Sequence, residues 1–318
     1  MVVHFDYNQC PHDEKTVLTV GTFDGLHIGH QRVIQTIVQR AQVFGCRSCL
    51  VTFHPHPQTV LQSPGKQKIK VLTPINEKIS YLQAFPIDQL IVIPFSLEFA
   101  AYTAEYFVKN ILLSTIGLRE IIIGHDHAFG KERAGTLDTL KNMGNTWHFG
   151  ITVVPPLIDK GVPVSSTLIR HLLTEGKMEL VAKYLGRPYI IQGKVVSGDG
   201  RGRTINYPTA NITIEDPQKM IPCDGVYICE VEVDSQICKG MLSIGFRPTF
   251  PELKYTIEVH ILNFNKTIYD KIIKIHILRY LRQEKKFNDV GELIKQMDLD
   301  RERTFAYFTH KPSLEIVS

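Results

Sequence analysis

The chain has 318 residues, which is enough for two domains that each bury a core of their own. Its composition, 43% apolar and 21% charged residues with a net charge of only +4, argues against a disordered chain and against a dedicated nucleic-acid binder. We find neither a run of about 18 apolar residues nor a basic-then-apolar leader, so we expect no membrane span, no signal peptide and a cytoplasmic location.

The first predicted element is a short apolar strand at residues 17–20, which ends at a glycine. A turn and the tetrapeptide His-Ile-Gly-His follow, and then an amphipathic helix begins. This order directs free backbone N–H groups and the positive end of a helix dipole at an anion. His27 and His30 can donate to phosphate oxygens, and Gly29 leaves room for a phosphate near the backbone. The residues alone leave open that both histidines are ordinary loop residues.

A second predicted strand, residues 49–53, leads into His54-Pro55-His56-Pro57. Two prolines make this a rigid, extended loop at the carboxyl end of a strand, where ligands bind in an open α/β sheet. A metal site is the weaker alternative there, because no carboxylate is nearby. The adjacent Cys46-x-x-Cys49 pair has no second pair of ligands after it, so we expect reduced structural thiols and no tightly bound metal site of the chain's own.

Short β-branched runs continue to alternate with helical segments, at residues 90–93, 120–124 and 151–154. This alternation is typical of a doubly wound parallel sheet, so we predict an α/β domain with a Rossmann-like sheet. The second strand of this set, 120–124, runs into the loop GHDHAFG, whose glycines permit close approach of a ligand. A plain solvated loop is the alternative at that place.

Residues 165–170, Ser-Ser-Thr-Leu-Ile-Arg, begin the next predicted helix. The serine hydroxyls can cap the helix and donate, and the guanidinium of Arg170 offers a charged fork suited to phosphate. A simple helix cap followed by a surface arginine is the alternative. The helix is expected to run over 172–184 and to end at Gly186, where Pro188 prevents its continuation.

Residues 190–276 contain a succession of short strand-like runs with no helical segment between them, which predicts a small antiparallel barrel. Two helices, near 289–296 and 300–308, are expected to close the chain. We therefore predict two domains, 1–186 and 187–318.

The predicted barrel contains a glycine–arginine loop, GDGRGR, that can wrap phosphates through backbone N–H groups. Thr209 and Asn211 lie two apart on an extended segment and share a face, so they can offer a hydroxyl and an amide oxygen to Mg²⁺. Glu258 alternates with apolar residues on a predicted strand, and it is either an exposed carboxylate or a base.

The string GTFDGLHIGHQ resembles the adenylyltransferase module of bacterial bifunctional riboflavin kinase/FAD synthetases, within the nucleotidyltransferase superfamily. SSTLIR matches the family's SSTxxR motif, and TFHPHP and GHDHAFG have counterparts in it. The resemblance implies catalytic roles for His27, His30 and Arg170, and flavin contacts by His56 and Phe129. It also implies nucleotide binding by Gly21, Phe23, Asp24, Gly29, Asp126, Ser165, Ser166 and Thr167. Ala128 stands where the family commonly has a basic residue.

The string GRGRTINYPTAN similarly resembles the GRxxxxPTAN motif of riboflavin kinases. The resemblance implies that Thr209 and Asn211 hold magnesium with ATP and that Glu258 is the general base. It further implies nucleotide binding by Gly198, Gly200, Gly202 and Arg203, and flavin binding by Arg282 and Glu284. Asn206-Tyr207 replaces the family's usual Gly-Phe, and Ser243 replaces a frequent asparagine.

The resemblance thus implies an enzyme that phosphorylates riboflavin to FMN with ATP and then adenylylates FMN to FAD, with release of pyrophosphate. Its expected partners are Mg²⁺ and the small molecules riboflavin, FMN and ATP, without nucleic acid or membrane, and the oligomeric state stays open. Two alternatives are a single-activity nucleotidyltransferase with a non-catalytic barrel and a flavin-binding regulatory module with degenerate loops. The PTAN segment with Glu258 argues against the first, and the intact HxGH and SSTxxR motifs argue against the second.

Overall fold

The computed structural model describes residues 1–61, 69–125, 130–131, 135–198, 200–246 and 255–310, with the side chain of Arg201 not described. By its internal contacts the chain divides into two compact units, Met1–Ser166 and Thr167–Ser318. The sequence places the boundary at residue 186 instead, and that boundary stays a prediction. The helices between residues 166 and 186 are grouped with the second unit.

Six parallel strands form the sheet of the first unit: β1 (Val2–His4), β2 (Thr16–Val20), β3 (Arg47–His54), β4 (Gln89–Pro94), β5 (Leu118–Gly124) and β6 (Gly150–Val154). Their spatial order is β1-β4-β3-β2-β5-β6. The chain therefore proceeds from β2 to one side through β3 and β4 and then returns to the other side through β5 and β6. The change of direction lies beside β2, and in such sheets ligands bind at the carboxyl ends of the strands at this point.

Helices cover both faces of this sheet. They are α1 (Ile28–Phe44), α2 (Pro57–Val60), α3 (Ile75–Leu82), α4 (Leu97–Ala100), α5 (Ala104–Tyr106) with the π-helix Phe107–Ile116 that continues it, and α6 (Leu137–Trp147). A 3₁₀ turn at Tyr7–Gln9 and a small hairpin, β7 (Ile158–Asp159) with β8 (Val162–Pro163), complete the unit. One apolar cluster packs α1 on the sheet, and the other packs the π-helix on the opposite face. Because both faces are covered, the strands are nearly continuous apolar runs.

The second unit is a closed, antiparallel barrel of six strands: β9 (Tyr189–Val196), β10 (Ala210–Ile214), β11 (Gly225–Val233), β12 (Gln236–Phe246), β13 (Tyr255–Ile261) and β14 (Ile272–Arg282). The ring order is β10-β13-β12-β11-β14-β9. Its helices are α7 (Ser166–Thr174), α8 (Met178–Leu185), α9 (Arg201–Thr204) and α10 (Val290–Thr309). The fold class, a doubly wound parallel sheet followed by an antiparallel barrel with a terminal helix, is confirmed.

Four details differ from the sequence prediction. The edge strand β1, which is only three residues long, and the closing strand β10, which begins within the turn-like PTAN segment, were not predicted. The single predicted helix over 172–184 is two helices, α7 and α8, because Gly176 adopts φ 69° between them. The two predicted terminal helices are one continuous helix, α10, since no glycine or proline interrupts it after Gly291.

Candidate functional site

His27 and His30 lie at the start of α1, just beyond the carboxyl end of β2. His27 is the N-cap, and its Nδ1 accepts a hydrogen bond from the backbone N–H of His30 at 3.3 Å. The two rings stack, with centroids 3.6 Å apart and planes inclined by 19°. Among the described residues the buried Nδ1 of His30 has no hydrogen-bond partner. This nitrogen is therefore available to a ligand at a helix N-terminus.

Gly29 makes room for an imidazole ring. A Cβ at Gly29 would lie 3.1 Å from Nδ1 and 3.2 Å from Cε1 of His27. In this structure the space is thus occupied by the His27 ring, which folds back over the start of the helix, and a side chain at residue 29 would displace it. The phosphate approach expected at Gly29 stays a prediction.

The turn before the histidines is strained and strongly anchored. Phe23 and Leu26 have φ of 46° and 47°, a region that costs a non-glycine residue about 1–3 kcal/mol. The buried carboxylate of Asp24 accepts the backbone N–H groups of residues 72 and 73 at 3.1 and 3.0 Å. The carbonyl oxygen of Asp24 accepts the hydroxyl of Ser166 at 2.8 Å. Two predicted nucleotide-binding residues, Asp24 and Ser166, therefore hold the turn in place.

The sequence prediction missed Lys78 on α3, which is only 3% exposed. Its Nζ donates to the carbonyl oxygen of Thr22 at 2.6 Å and to Oγ1 of Thr52 at 3.4 Å. Burial lowers the pKa of Lys78 to about 8, against the attraction of Asp24. Burial also holds the pKa of His30 well below its ordinary value, and the neighbouring histidine and Lys78 add to that effect. His30 is therefore a neutral imidazole at neutral pH.

The other predicted residues of the adenylylation motifs are placed as follows. His56 is buried at the end of β3 and caps α2, because its Nδ1 accepts the backbone N–H of Gln58 at 3.2 Å. Ser165 is half-buried, Thr167 is exposed, and Arg170 lies half-buried one turn after Ser166. Gly21 follows β2 and packs against the ring of Phe23. Asp126, Phe129 and the substituted Ala128 lie outside the described residues.

In the barrel, Glu258 is held at both of its carboxylate oxygens. Oγ1 of Thr209 donates to Oε2 at 3.0 Å, and Oγ1 of Thr256 donates to Oε1 at 2.9 Å. Asn211 lies directly opposite Glu258 on the neighbouring strand β10, and Ser243 lies opposite it on β12. The strand pairing thus brings the predicted base and both predicted magnesium ligands together, which the sequence could propose only by resemblance.

The glycine–arginine loop is shaped by close contacts with the PTAN segment. A Cβ at Gly198 would lie 2.1 Å from Nδ2 of Asn211, so only glycine lets this amide occupy its place. After Gly200 the chain forms the single turn α9 instead of the open loop that was expected. Arg203 is exposed and donates to the hydroxyl of Tyr269 at 3.0 Å.

The Asn206-Tyr207 substitution fits the backbone. Asn206 has φ 62°, a left-handed conformation that asparagine adopts more readily than most residues, so the loss of glycine is accommodated. Tyr207 is buried, and its hydroxyl donates to Oδ1 of Asp298 on α10 at 2.5 Å. Burial and this hydrogen bond raise the pKa of Tyr207 to about 12, so the hydroxyl keeps its proton. A phenylalanine, usual in the family, cannot make this bond.

The two barrel residues predicted to bind the flavin, Arg282 and Glu284, both make polar contacts with other side chains. Nε and Nη2 of Arg282 contact the buried carboxylate of Asp300 on α10 at 2.9 and 2.8 Å. Glu284 accepts the hydroxyl of Ser243 at 2.5 Å. Burial raises the pKa of Glu284, while this hydrogen bond and Arg282 oppose the rise.

All nine residues predicted for the kinase site line one cavity of about 340 Å³. They are Gly198, Gly200, Gly202, Arg203, Thr209, Asn211, Glu258, Arg282 and Glu284. Its polar rim of hydroxyl, amide and carboxylate oxygens suits a hard cation carried with phosphates. Phe246, Phe287 and Leu293 give the cavity an apolar side that suits a flat ring. Within the described part of the chain, no cluster of three or more His, Cys, Asp and Glu side chains could hold a metal ion by itself.

A parallel sheet with two histidines at a helix start, followed by a closed barrel with a fixed carboxylate, fits the class of transferases that use nucleotides. Family comparison gives the particular class. Residues 9–168 match the family model described as FAD synthetase, and residues 185–308 match the one described as riboflavin kinase. The chain belongs to the family of bifunctional riboflavin kinases/FMN adenylyltransferases.

Individual relatives agree with this assignment. The chain is 35% identical over 299 residues to the bifunctional riboflavin kinase/FMN adenylyltransferase of Bacillus subtilis, covering 93% of each protein. It is 36% identical over 297 residues to that of Listeria monocytogenes, again covering 93% of each. A crystal structure titled as a macrolide-efflux protein from Streptococcus pneumoniae has a TM-score of 0.85 and 30% identity, and the match covers 95% of this chain and 98% of that one. Among the helices described here, none has the length and apolar character needed to cross a membrane.

Proposed function

We propose that the chain phosphorylates riboflavin to FMN in the barrel and adenylylates FMN to FAD in the α/β unit, using one ATP in each step. The observation that carries the proposal is the carboxylate of Glu258, held by two threonine hydroxyls opposite Asn211 in a cavity with an apolar side. A fixed carboxylate beside oxygen ligands is what transfer of a phosphoryl group to a hydroxyl requires.

In the kinase step, Glu258 takes the proton of the terminal ribityl hydroxyl as that oxygen attacks the γ-phosphate of ATP. A bond forms between this oxygen and the γ-phosphorus, the bond to the β–γ bridging oxygen breaks, and ADP leaves. Thr209 and Asn211 would hold a magnesium ion, which neutralises charge on the phosphates. The glycines of the loop, with Arg203, would bind the nucleotide through backbone N–H groups and a guanidinium.

In the adenylylation step, a phosphate oxygen of FMN attacks the α-phosphate of ATP, and pyrophosphate leaves. No base is needed, because the nucleophile is already an anion, so positioning and charge stabilisation are sufficient. His27 and His30 would donate to the phosphates, His30 as a neutral imidazole, and Ser166 would keep the turn in register through Asp24. We assign Arg170 to the triphosphate from its place one turn after Ser166 in the SSTxxR motif.

Further parts of the proposal concern the flavin and the surroundings. Glu284 would contact the flavin from the cavity wall, Arg282 would support that segment through Asp300, and His56 and Phe129 would contact FMN. We expect magnesium and small-molecule partners only, with no nucleic acid or membrane. All six cysteines are free thiols, which supports a reducing compartment such as the cytoplasm.

The test is incubation of the purified chain with riboflavin, ATP and magnesium, with chromatography of the flavins over time. We expect FMN to appear first and FAD to follow. Bound but unchanged riboflavin would indicate a flavin-binding module. Formation of FAD only from added FMN would indicate a single-activity nucleotidyltransferase.

A further inference from the structure

Lys78 is a buried charge that neither proposed reaction uses. Lysine is almost never fully buried unless it is paired, yet Lys78 is 3% exposed, and among the described residues its ammonium donates only to neutral oxygens. Burial disfavours the charged form, so a hydrophobic side chain of similar length would suit a purely structural position better. The lysine also falls on the apolar stripe of α3, between Ile75 and Ile79. A positive charge at this buried, apolar position indicates a functional role for Lys78.

We propose that Lys78 is a positioning residue of the adenylylation site: its buried ammonium fixes the strained turn that leads to His27 and His30 and supplies positive charge beside them. The inference rests on the proposed formation of FAD in this unit. It adds to that function a residue that belongs to none of the recognised motifs.

Lys78 is bonded at the point where the strained turn begins. The carbonyl oxygen of Thr22 stands between β2 and the strained residue Phe23, and two donors converge on it. One is Nζ of Lys78 at 2.6 Å, and the other is Oγ1 of Thr52 at 3.2 Å, itself a partner of the ammonium at 3.4 Å. The lysine therefore ties the carboxyl ends of β2 and β3 together where the turn begins. A loss of this tie would let the turn relax and shift the histidines.

Lys78 also interacts electrostatically with the groups around the histidines. The described charged and titratable groups that interact with Lys78 are Asp24 from the turn and His30 from α1, which in turn interacts with His27. The contacts from β2 and β3, through Thr22 and Thr52, are neutral. The carboxylate of Asp24 is turned to two backbone N–H groups and His30 is neutral, so the ammonium is the positively charged group beside the histidines, and it also balances the charge of Asp24. Buried charges act strongly on developing phosphate charge because they are poorly screened.

The test compares Lys78→Met with the full-length parent and with Lys109→Met, an exposed lysine on the π-helix. For Lys78→Met we expect the rate of FAD formation from added FMN to fall about 10- to 100-fold, while riboflavin phosphorylation in the same preparation is unchanged. The melting temperature should not fall, because the substitution removes a buried charge and Thr22 keeps Thr52 as a donor. Lys109→Met should match the parent in all three measurements.

The pH dependence of FAD formation shows whether the positive charge of Lys78 matters or only the volume that its side chain fills. Since Lys78 has a pKa of about 8, the parent loses this charge as the pH rises through 8, whereas the methionine variant has none to lose. The ratio of parent to variant rates of FAD formation should therefore be largest near pH 7 and shrink toward pH 9.5, with the kinase rate as the reference for general pH effects.

The same pKa gives a stability readout with a definite sign. The lysine binds fewer protons in the folded state than in the unfolded state between pH 8 and its ordinary value of 10.5. The stability of the parent relative to Lys78→Met should consequently rise across this interval.

Three results would overturn the inference: FAD formation within two-fold of the parent, a loss matched by a lower melting temperature, or a rate ratio that is constant with pH. A parent chain that forms FMN but no FAD would overturn the proposed adenylylation itself, and this inference with it. The two failures are thus distinguishable.

Discussion

The two units prepare phosphate chemistry by opposite means. In the α/β unit the helix start carries two imidazoles, of which that of His30 is neutral, beside a buried ammonium, and the carboxylate of Asp24 is turned to the backbone. In the barrel a carboxylate, Glu258, is fixed at both oxygens and faces the cavity. We attribute the difference to the nucleophile of each step. A phosphate nucleophile needs no base and is repelled by a carboxylate, whereas a hydroxyl nucleophile needs a base. We therefore expect neither site to suit the other's reaction.

The largest effect we predict comes from dividing the chain at two different places. A fragment 167–318 keeps α7 and α8, and α8 packs on β9 and β14. A fragment 187–318 lacks them and loses the fully buried side chains of Leu173, Met178 and Val181, worth roughly 1.5–3 kcal/mol each. This loss is a large part of the roughly 5–15 kcal/mol that stabilises a domain.

We expect the longer fragment to fold and phosphorylate riboflavin, and the shorter one to unfold at much lower urea concentration. Circular dichroism in urea and a flavin assay measure both. Equal urea midpoints would instead place the functional boundary at residue 186, as the sequence predicts.

The substitution Glu258→Gln tests whether the carboxylate of the barrel serves only the kinase reaction. Riboflavin phosphorylation should fall by about 10²–10⁴, the usual contribution of a general base, while adenylylation of added FMN is unaffected. Glu215→Gln, an exposed glutamate after β10, serves as the control. A variant that still phosphorylates riboflavin at nearly the parent rate would remove Glu258 from the mechanism.

The converse result is expected for His27→Ala, His30→Ala and Arg170→Ala. Each should lower FAD formation by about 10²–10³, the typical loss of one donor to a developing charge, and FMN should accumulate. Because His30 is neutral at neutral pH, His30→Gln, which keeps a neutral N–H donor, should lose less than His30→Ala. His12→Ala, at an exposed histidine, is the control. Unchanged FAD yields in all three alanine variants would contradict the assignment.

The smallest effect is expected for Tyr207→Phe, which restores the residue that is usual in the family. It removes only the hydrogen bond to Asp298, so the unfolding free energy should fall by about 1 kcal/mol. The KM of the kinase for ATP should rise by no more than about five-fold, the equivalent of that energy. Tyr106→Phe, an exposed tyrosine of the first unit, is the comparison, and a kinase loss above 100-fold would show that Tyr207 does more than hold the loop.

Much of this organisation could be predicted from local pattern. Alternating apolar runs predicted both sheet types, and the HxGH and PTAN strings predicted which junctions carry chemistry, because these features lie within ten or so consecutive residues. The nine barrel residues could be grouped only by resemblance, since Thr209 and Glu258 meet through the pairing of β10 with β13, 49 positions apart.

What could not be predicted depends on contacts between distant segments. Lys78 lies on an ordinary amphipathic helix, and only the packing of α3 near the turn after β2 brings its ammonium beside the predicted site residues. The one available signal was a lysine on an apolar stripe. The bond between Tyr207 and Asp298 spans 91 positions and has no local signature. The strand β10 was missed because PTAN begins with a proline and polar residues, which resemble a turn.

The way in which the barrel closes has a consequence for its internal motion. Among the described residues, the seam between β10 and β13 has two residue pairs, Ala210 with Val259 and Asn211 with Glu258, whereas β11 and β12 share nine. Local opening begins where the fewest backbone bonds must break. The barrel should therefore open most easily at the pair formed by the proposed base and the proposed metal ligand. A nucleotide bound across that pair would stabilise the closed barrel.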